Sequence, residues 1–301
     1  MTTFHQHKRN ILIFEYVTGG RFALETLPAS LAAEGQMMVE ALLSNFAALP
    51  DVNAWVMPRQ DTRPLDAHFK AQIQHADAVW VIAPEFDGIL ETFCRYVEAS
   101  GKKLLTSPSS AVSVTANKLM TFEQLCRAHI QTVPTALFDE NHDYDTTQAW
   151  IIKPIDGAGA ENTFLLTSIN DWQQRPQLNK AFIIQPYIEG EKISLSCLFH
   201  EGSAELLCVN LQLFEQKETC FALQTIRVND RPDHTGDYQR LASQIACAFP
   251  DLWGYVGIDL IQTPTTCFVL EINPRLTTSF TQIETQLGIN VASKVMALWY
   301  D

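Results

Sequence analysis

Four groups of residues in this chain have the types and spacing to handle phosphate and a hard metal ion. The most concentrated lies near the C-terminus. Residues 257–260 read Gly-Ile-Asp-Leu, and residues 268–276 read FVLEINPRL. Glu271 and Asn273 are two apart, so on a strand they share a face, and Asp259 on a neighbouring strand can join them. Two carboxylates and an amide oxygen are hard oxygen ligands. That set suits Mg²⁺ bridging nucleotide phosphates, and three such groups would be costly to bury unpaired against an apolar layer. The ordinary counterpart is a salt-bridge network with Arg275.

The other three groups lie upstream. Asn117-Lys118 opens a helical segment, where a lysine joins the free N–H groups and the positive end of the helix dipole in holding a phosphate. Residues 150–159 read WIIKPIDGAG: a buried strand ends at Lys153, and a loop carries Gly157 and Gly159. Lysine supplies a point charge for phosphate, and glycines let backbone N–H groups approach it and let the loop act as a lid. The G-x-x-x-x-G-K-[ST] spacing of a Walker A loop is absent. Residues 181–195 (AFIIQPYIEGEKISL) form a strand, a linker with Gly190 and a second strand. Gln185 and the main chain after it present donors and acceptors that can read the edge of adenine. Each of the three also has a plain counterpart: a surface lysine, a hairpin turn, a β-turn.

The elements that must position these residues fall into two parts. Up to residue 106, short apolar runs (10–16, 52–57, 78–83, 103–106) alternate with helical patterns (31–49, 69–75, 88–100). Such alternation with short connections predicts a parallel sheet, whose ligands sit beyond the carboxyl ends of the strands. Glu15 and Glu85 fall there. Beyond Pro108 the pattern changes to helices at 116–129 and 237–249 and strands at 149–153, 163–166, 182–186, 192–199, 204–211, 255–260 and 267–272. This part reads as α+β with much antiparallel sheet.

Composition narrows the function classes. The 301 residues are 47% hydrophobic with a net charge of −13, which argues against nonspecific binding to nucleic acid or an anionic membrane. The apolar runs are strand length, far short of the roughly 20 residues of a membrane span. The polar start of the chain is unlike a signal peptide. Seven scattered cysteines without CxxC point to a reducing cytoplasm and no zinc site. The eight histidines show no H-E-x-x-H spacing, and no Ser or Cys nucleophile pairs convincingly with one. A dinucleotide-binding oxidoreductase would need G-x-G-x-x-G after the first strand, where the chain has only Thr18-Gly19-Gly20-Arg21.

Lys118, the 153–159 strand and loop, the 185–190 linker, Asp259 and the Glu271-Ile272-Asn273-Pro274-Arg275 run resemble, in order and spacing, the ATP-grasp superfamily. The resemblance covers residues from about 107 to the C-terminus, with 10–106 similar to the α/β domain that usually precedes it. It implies a Rossmann-like parallel-sheet domain (1–107), a central subdomain with a glycine-rich lid (108–186) and a C-terminal subdomain with the metal site (187–301). It further implies that Lys118 and Lys153 hold ATP phosphates under the Gly157–Gly159 loop, and that Gln185, Tyr187 and Ile188 contact adenine. Asp259, Glu271 and Asn273 would bind Mg²⁺, usually two ions, with Mn²⁺ as the alternative metal. Many relatives carry a ribose-binding glutamate two positions after the linker glycine; here that position is Lys192, and Glu191 beside it is the candidate to bind ATP in its place.

The activity implied is amide formation from a small-molecule carboxylate and an amine through an acyl phosphate, releasing ADP. Arg275 and Lys153 would stabilise the reacting groups. Thr278 and Ser279 are candidates to line the substrate pocket, and Glu15 and Glu85 to hold an amino group. The opening (FEYVTGG, LPASLAAEGQMM) and the ending (EINPRLTTSF) resemble the members of the superfamily that join glutamate to an amine in methanofuran and related one-carbon cofactor biosynthesis. Glutamate addition to a larger pterin or furan cofactor, dipeptide formation, a non-catalytic nucleotide-binding regulator and a homodimer stay open.

Overall fold

The computed structural model describes residues 8–21, 29–58, 63–157, 162–175, 178, 180–217 and 219–300. The chain opens with β1 (Arg9–Glu15), a π-helical turn (Val17–Arg21) and α1 (Ala29–Ala47). Next come β2 (Val52–Val56), α2 (Leu65–Ile73), β3 (Ala78–Ile82), a 3₁₀ turn (Phe86–Gly88), α3 (Ile89–Ala99) and β4 (Lys103–Leu104). The four strands pair in the order β2-β1-β3-β4, all parallel, as the alternation predicts. Strand β1 is apolar on both faces because helices cover both. Ile11 and Ile13 pack with Met38, Val39 and Leu42 of α1, while Leu12 and Phe14 pack with Phe69 of α2 and Phe93 of α3.

Two helices follow, α4 (Ser109–Thr115) and α5 (Lys118–Arg127), and then the short β5 (Ala136–Leu137). The sequence pattern shows only the second helix. The first is a Ser-, Val- and Thr-rich run of weak helix formers, held by burial of Ala111 and Val112. Strands β6 (Trp150–Pro154) and β7 (Phe164–Leu166), helix α6 (Ile169–Gln174) and strand β8 (Phe182–Pro186) complete the central region. The remainder is β9 (Glu191–His200), β10 (Ser203–Lys217), β11 (Cys220–Arg231), α7 (Asp237–Ala248), β12 (Gly254–Gln262), β13 (Cys267–Asn273), α8 (Phe280–Leu287) and α9 (Val291–Ala297).

These strands form one antiparallel sheet in the order β13-β12-β9-β10-β11-β7-β6-β8-β5. Among the described residues the two halves of the sheet pair at one position, Cys220–Phe164, beside a bond from the Leu165 N–H to the Thr219 carbonyl at 2.7 Å. The central half has its own small core of Ile152, Leu166, Trp172, Phe182 and Ile184.

The far half is fused to the N-terminal domain. A single apolar cluster runs from Ile11, Ile13 and Trp80 through α1 to Tyr255, Phe280, Val291 and Val295. Asn45 of α1 ties this seam at both ends, donating to Glu284 at 2.8 Å and accepting from the Ala292 N–H at 3.1 Å. Ala111, Leu125 and Ile130 enter the core under β9, β12 and β13. Ala111, Leu125 and Ile130, which the resemblance assigns to the central subdomain (108–186), therefore pack with the C-terminal one. The separate small core makes the central half the part able to move against the rest.

Candidate active site

The register of three strands builds the site. Asp259 on β12 stands opposite Glu271 on β13 and opposite Ser194 on β9, while Gly257 stands opposite Asn273 and Ser196. Cross-strand partners share a face, so Asp259, Glu271 and Asn273 project on one side of the sheet. Ile258, Ile272 and Leu195 project on the other, into the core against α7. Gly257 is required by a close approach: a Cβ there would lie 2.6 Å from Cγ2 of Thr277.

Within the trio, Asn273 Nδ2 donates to Asp259 Oδ2 at 2.9 Å, and Gln212 Nε2 donates to Asp259 Oδ1 at 2.9 Å. With its nitrogen committed, Asn273 has its carbonyl oxygen to offer a cation. Gln212 escapes a sequence reading that ends its strand at Leu211. The strand runs on to Lys217, which puts Gln212 in line with Asn210 and Ser194.

Two lysines face the carboxylates. Lys118 Nζ lies 3.6 Å from Glu271 Oε2 and donates to the Gly157 carbonyl at 2.7 Å. Its helix is capped by Asn117, whose Oδ1 accepts from the Leu119 and Met120 N–H groups at 3.0 Å. The Lys118 N–H itself bonds the Ile155 carbonyl, so the helix start and the glycine loop are held together. Lys153, at the buried end of β6, has its ammonium pKa lowered to about 8. Desolvation dominates and neighbouring Lys118 adds to it, against the opposing pull of Glu271 and Asp259.

The two carboxylates respond in opposite directions. Burial, then the charge of Glu271, pushes Asp259 well above the usual range. Burial also pushes Glu271 up, but Lys118 and Lys153 outweigh it and hold its carboxyl low. Two carboxylates crowded in this way carry strain that a divalent cation relieves. Among the described residues no three His, Cys, Asp or Glu side chains cluster. The two carboxylates and one amide oxygen are hard donors of the kind that would hold an ion such as Mg²⁺.

Arg275 closes the network. Its Nη2 pairs with Glu85 Oε2 at 2.7 Å and its Nη1 donates to the Leu276 carbonyl at 3.0 Å. Next to it lies a buried cluster of hydroxyls. Tyr255 OH donates to Ser196 Oγ at 2.9 Å and lies 3.0 Å from Thr277 Oγ1 and 3.2 Å from Ser279 Oγ, while Asn210 donates to Ser194 and Ser196.

Other expected residues lie differently. Glu191 is on the face of β9 opposite Ser194 and Ser196, and its carboxylate pairs with Arg231 at 3.1 Å. Alternation along the strand therefore turns Lys192, not Glu191, toward the site side. Lys192 Nζ rests 3.2 Å from the Ile188 carbonyl and 5.6 Å from the Tyr187 ring. The Tyr187 N–H is committed to the Ala149 carbonyl, and Gln185 is buried with its amide on Thr135 Oγ1 at 2.8 Å. Glu15 caps its own turn, accepting from the Val17 and Thr18 N–H groups at 3.0 and 2.5 Å. It is roofed by Gly35, where a Cβ would lie 2.8 Å from its carboxylate. Thr278 sits half-buried on the turn before α8, its carbonyl accepting from Thr281. Gly159 lies outside the described residues.

An antiparallel sheet carrying two carboxylates and an amide, faced by two lysines beside a glycine loop and preceded by a parallel-sheet domain, defines a nucleotide-dependent ligase of the ATP-grasp class. The ATP-grasp domain family matches residues 115–279, and the pre-ATP-grasp domain family matches residues 40–112. The chain belongs to the ATP-grasp family. It is similar to the tyramine–L-glutamate ligase of Methanocaldococcus jannaschii, 24% identical over 294 residues, covering 91% of this chain and 85% of that protein. Among solved structures it resembles an ATP-grasp superfamily protein from Archaeoglobus fulgidus, with a TM-score of 0.74 and 24% identity over 96% of this chain and 88% of that one. D-alanine–D-alanine ligase from Bacillus anthracis, complexed with ATP, shares the fold at a TM-score of 0.68 and 13% identity over 96% and 95% of the two chains. Among the described residues no helix is long and apolar enough to cross a membrane.

Proposed function

We propose that this chain joins a carboxylic acid to an amine at the expense of ATP through an acyl phosphate, with glutamate as the acid and a tyramine-like compound as the amine. The observation that carries the reading is the convergence of Lys118, Lys153 and Arg275 on the face that bears Asp259, Glu271 and Asn273. Cations and a hard-ligand set on one face are what phosphoryl transfer needs, since its catalysis is mostly positioning and charge neutralisation. The likeness to tyramine–L-glutamate ligase supports the choice of substrates and a place in methanofuran or related one-carbon cofactor synthesis.

In this account Lys118 and Lys153 hold ATP phosphates, and the loop bearing Gly157 and Gly159 covers them. Adenine lies by Gln185, Tyr187 and Ile188. Asp259, Glu271 and Asn273 would hold Mg²⁺, which would neutralise phosphate charge. A carboxylate oxygen of the acid forms a bond to the γ-phosphorus while the bond to the β–γ bridging oxygen breaks and ADP leaves. Arg275 stabilises the acyl phosphate, and Ser279 and Thr278 border its pocket. The amine nitrogen then bonds the acyl carbon, phosphate departs, and the nitrogen gives up a proton.

The test is phosphate release from ATP and Mg²⁺ with glutamate against a panel of amines that includes tyramine. Release that requires both acid and amine, with the amide found by mass spectrometry, supports the reading. ATP binding without release for any pair contradicts these substrates.

A further inference from the structure

The Glu85–Arg275 pair is expensive for the fold. Their side chains are 5% and 15% exposed, and each keeps one buried polar atom, Glu85 Oε1 and Arg275 Nε, without a partner. A buried ion pair with unsatisfied atoms is a poor source of stability, because desolvation offsets the attraction and an apolar pair of similar volume does as well. Its place offers another reason for it. Glu85 belongs to the N-terminal domain, on the loop after β3. Arg275 follows directly on the strand that bears Glu271 and Asn273.

The same loop has a second hold. Two residues on, the Asp87 N–H donates to Asp156 Oδ2 at 2.9 Å, and Asp87 Oδ1 pairs with Lys180 Nζ at 2.6 Å. Asp156 precedes Gly157, whose carbonyl Lys118 holds. Asp87 sits at φ 54°, a left-handed conformation that Asp tolerates at some cost. One short loop therefore grips both halves of the large sheet, which among the described residues pair with each other at one position. The Glu85 grip is buried, whereas Asp87 and Lys180 are about half exposed, which makes that grip readily broken.

We propose that Glu85 is a positioning residue: it fixes the Arg275 guanidinium for the reacting carboxyl, while Asp87 on the same loop holds the start of the glycine loop, so that the N-terminal domain keeps the acyl and phosphate ends of the site in register. The proposal rests on the ligase reading above, since it needs a reacting carboxyl at Arg275. Glu85 acts only through Arg275, so its removal matters only while Arg275 is there to be aimed.

The experiment is a double-mutant cycle on the full chain with Glu85→Gln, Arg275→Lys and both together. It follows kcat and the KM for ATP in ADP formation, with the thermal midpoint measured in parallel. Glu85→Gln is expected to lower kcat by about 10- to 100-fold, with the KM for ATP within about twofold, and to lower the midpoint as well, because it leaves the buried Arg275 charge unpaired; kinetics are therefore read well below the lowest midpoint of the set. In the Arg275→Lys background the same change is expected to add less than about threefold, the non-additivity of residues that act as a unit. Equal losses of kcat in both backgrounds, with the variants folded at the assay temperature, would overturn the positioning role and leave the ligase reading standing. A wild-type chain that forms no ADP with any acid and amine would overturn both.

Discussion

Asp259 and Glu271 stand directly opposite each other on β12 and β13, with Asn273 bridging to Asp259 at 2.9 Å. The three are near neighbours because the strands pair in this register. A slip of one residue would send Asp259 into the apolar core.

That arrangement predicts the effect of breaking the ligand set. Asn273→Ala removes an oxygen donor and the N–H that supports Asp259. ADP formation should fall by about 10- to 100-fold or more, the lower figures being the scale seen when a metal site loses only a supporting partner. ATP binding measured without Mg²⁺ should stay within a few-fold of wild type. Equal loss of binding with and without Mg²⁺ would contradict the metal role.

The lowered pKa of Lys153 gives a pH prediction with a definite sign. Its folded value is about 8, below the usual 10.5, so the unfolded chain binds the extra proton between those values. The stability it contributes is present above pH 10.5 and lost as pH falls through 8. ATP phosphates favour the charged form, so ATP binding near pH 8 should take up a proton. Calorimetry in two buffers of different ionisation enthalpy measures this. Uptake should disappear in Lys153→Met, and its persistence there would assign the proton elsewhere.

Gly257→Ala should destabilise the chain, because the new methyl meets Thr277 at 2.6 Å. Overpacking of this kind costs about 1–3 kcal/mol, read as a lowered urea midpoint with an unchanged slope. Adding Thr277→Ser, which removes the colliding methyl, should restore most of the loss. No rescue would mean that the clash is not the cause.

Glu191 and Lys192 separate by face. Glu191→Ala should leave the KM for ATP within about twofold, since its carboxylate is exposed and paired with Arg231, and such pairs contribute little. Lys192→Ala should change it more, since Lys192 faces the site side by Ile188 and Tyr187. The reverse order would contradict this assignment of roles to the two faces.

Much of this was legible in the sequence, and the failures have physical causes. Strand and helix alternation up to residue 106 announces the parallel sheet because β1 and β3 are apolar on both faces. That Asp259, Glu271 and Asn273 share one face is legible because period-two spacing puts alternate side chains on the same side of a strand. Strand β11 (CFALQTIRVNDR) escapes because its burial hardly alternates, with Leu223 exposed and polar residues on both sides. Gln212, Glu85 with Arg275, and Asp87 with Lys180 depend on contacts across 47, 190 and 93 positions. No local pattern encodes such distances. Glu191 misleads for the opposite reason: it is adjacent in sequence to the expected ribose ligand, but adjacency on a strand means the other face.

The most direct test of the central claim follows the oxygen atoms. The acid is supplied with oxygen-18 in its carboxyl group, and the phosphate released with ATP, Mg²⁺ and amine is weighed by mass spectrometry. An acyl phosphate requires one labelled oxygen to pass from the acid to each phosphate, and the account predicts that transfer, abolished in Asn273→Ala. Phosphate released without label would mean that water or the amine, not the carboxylate, attacks the γ-phosphorus, and the ligase mechanism proposed for this chain would be wrong.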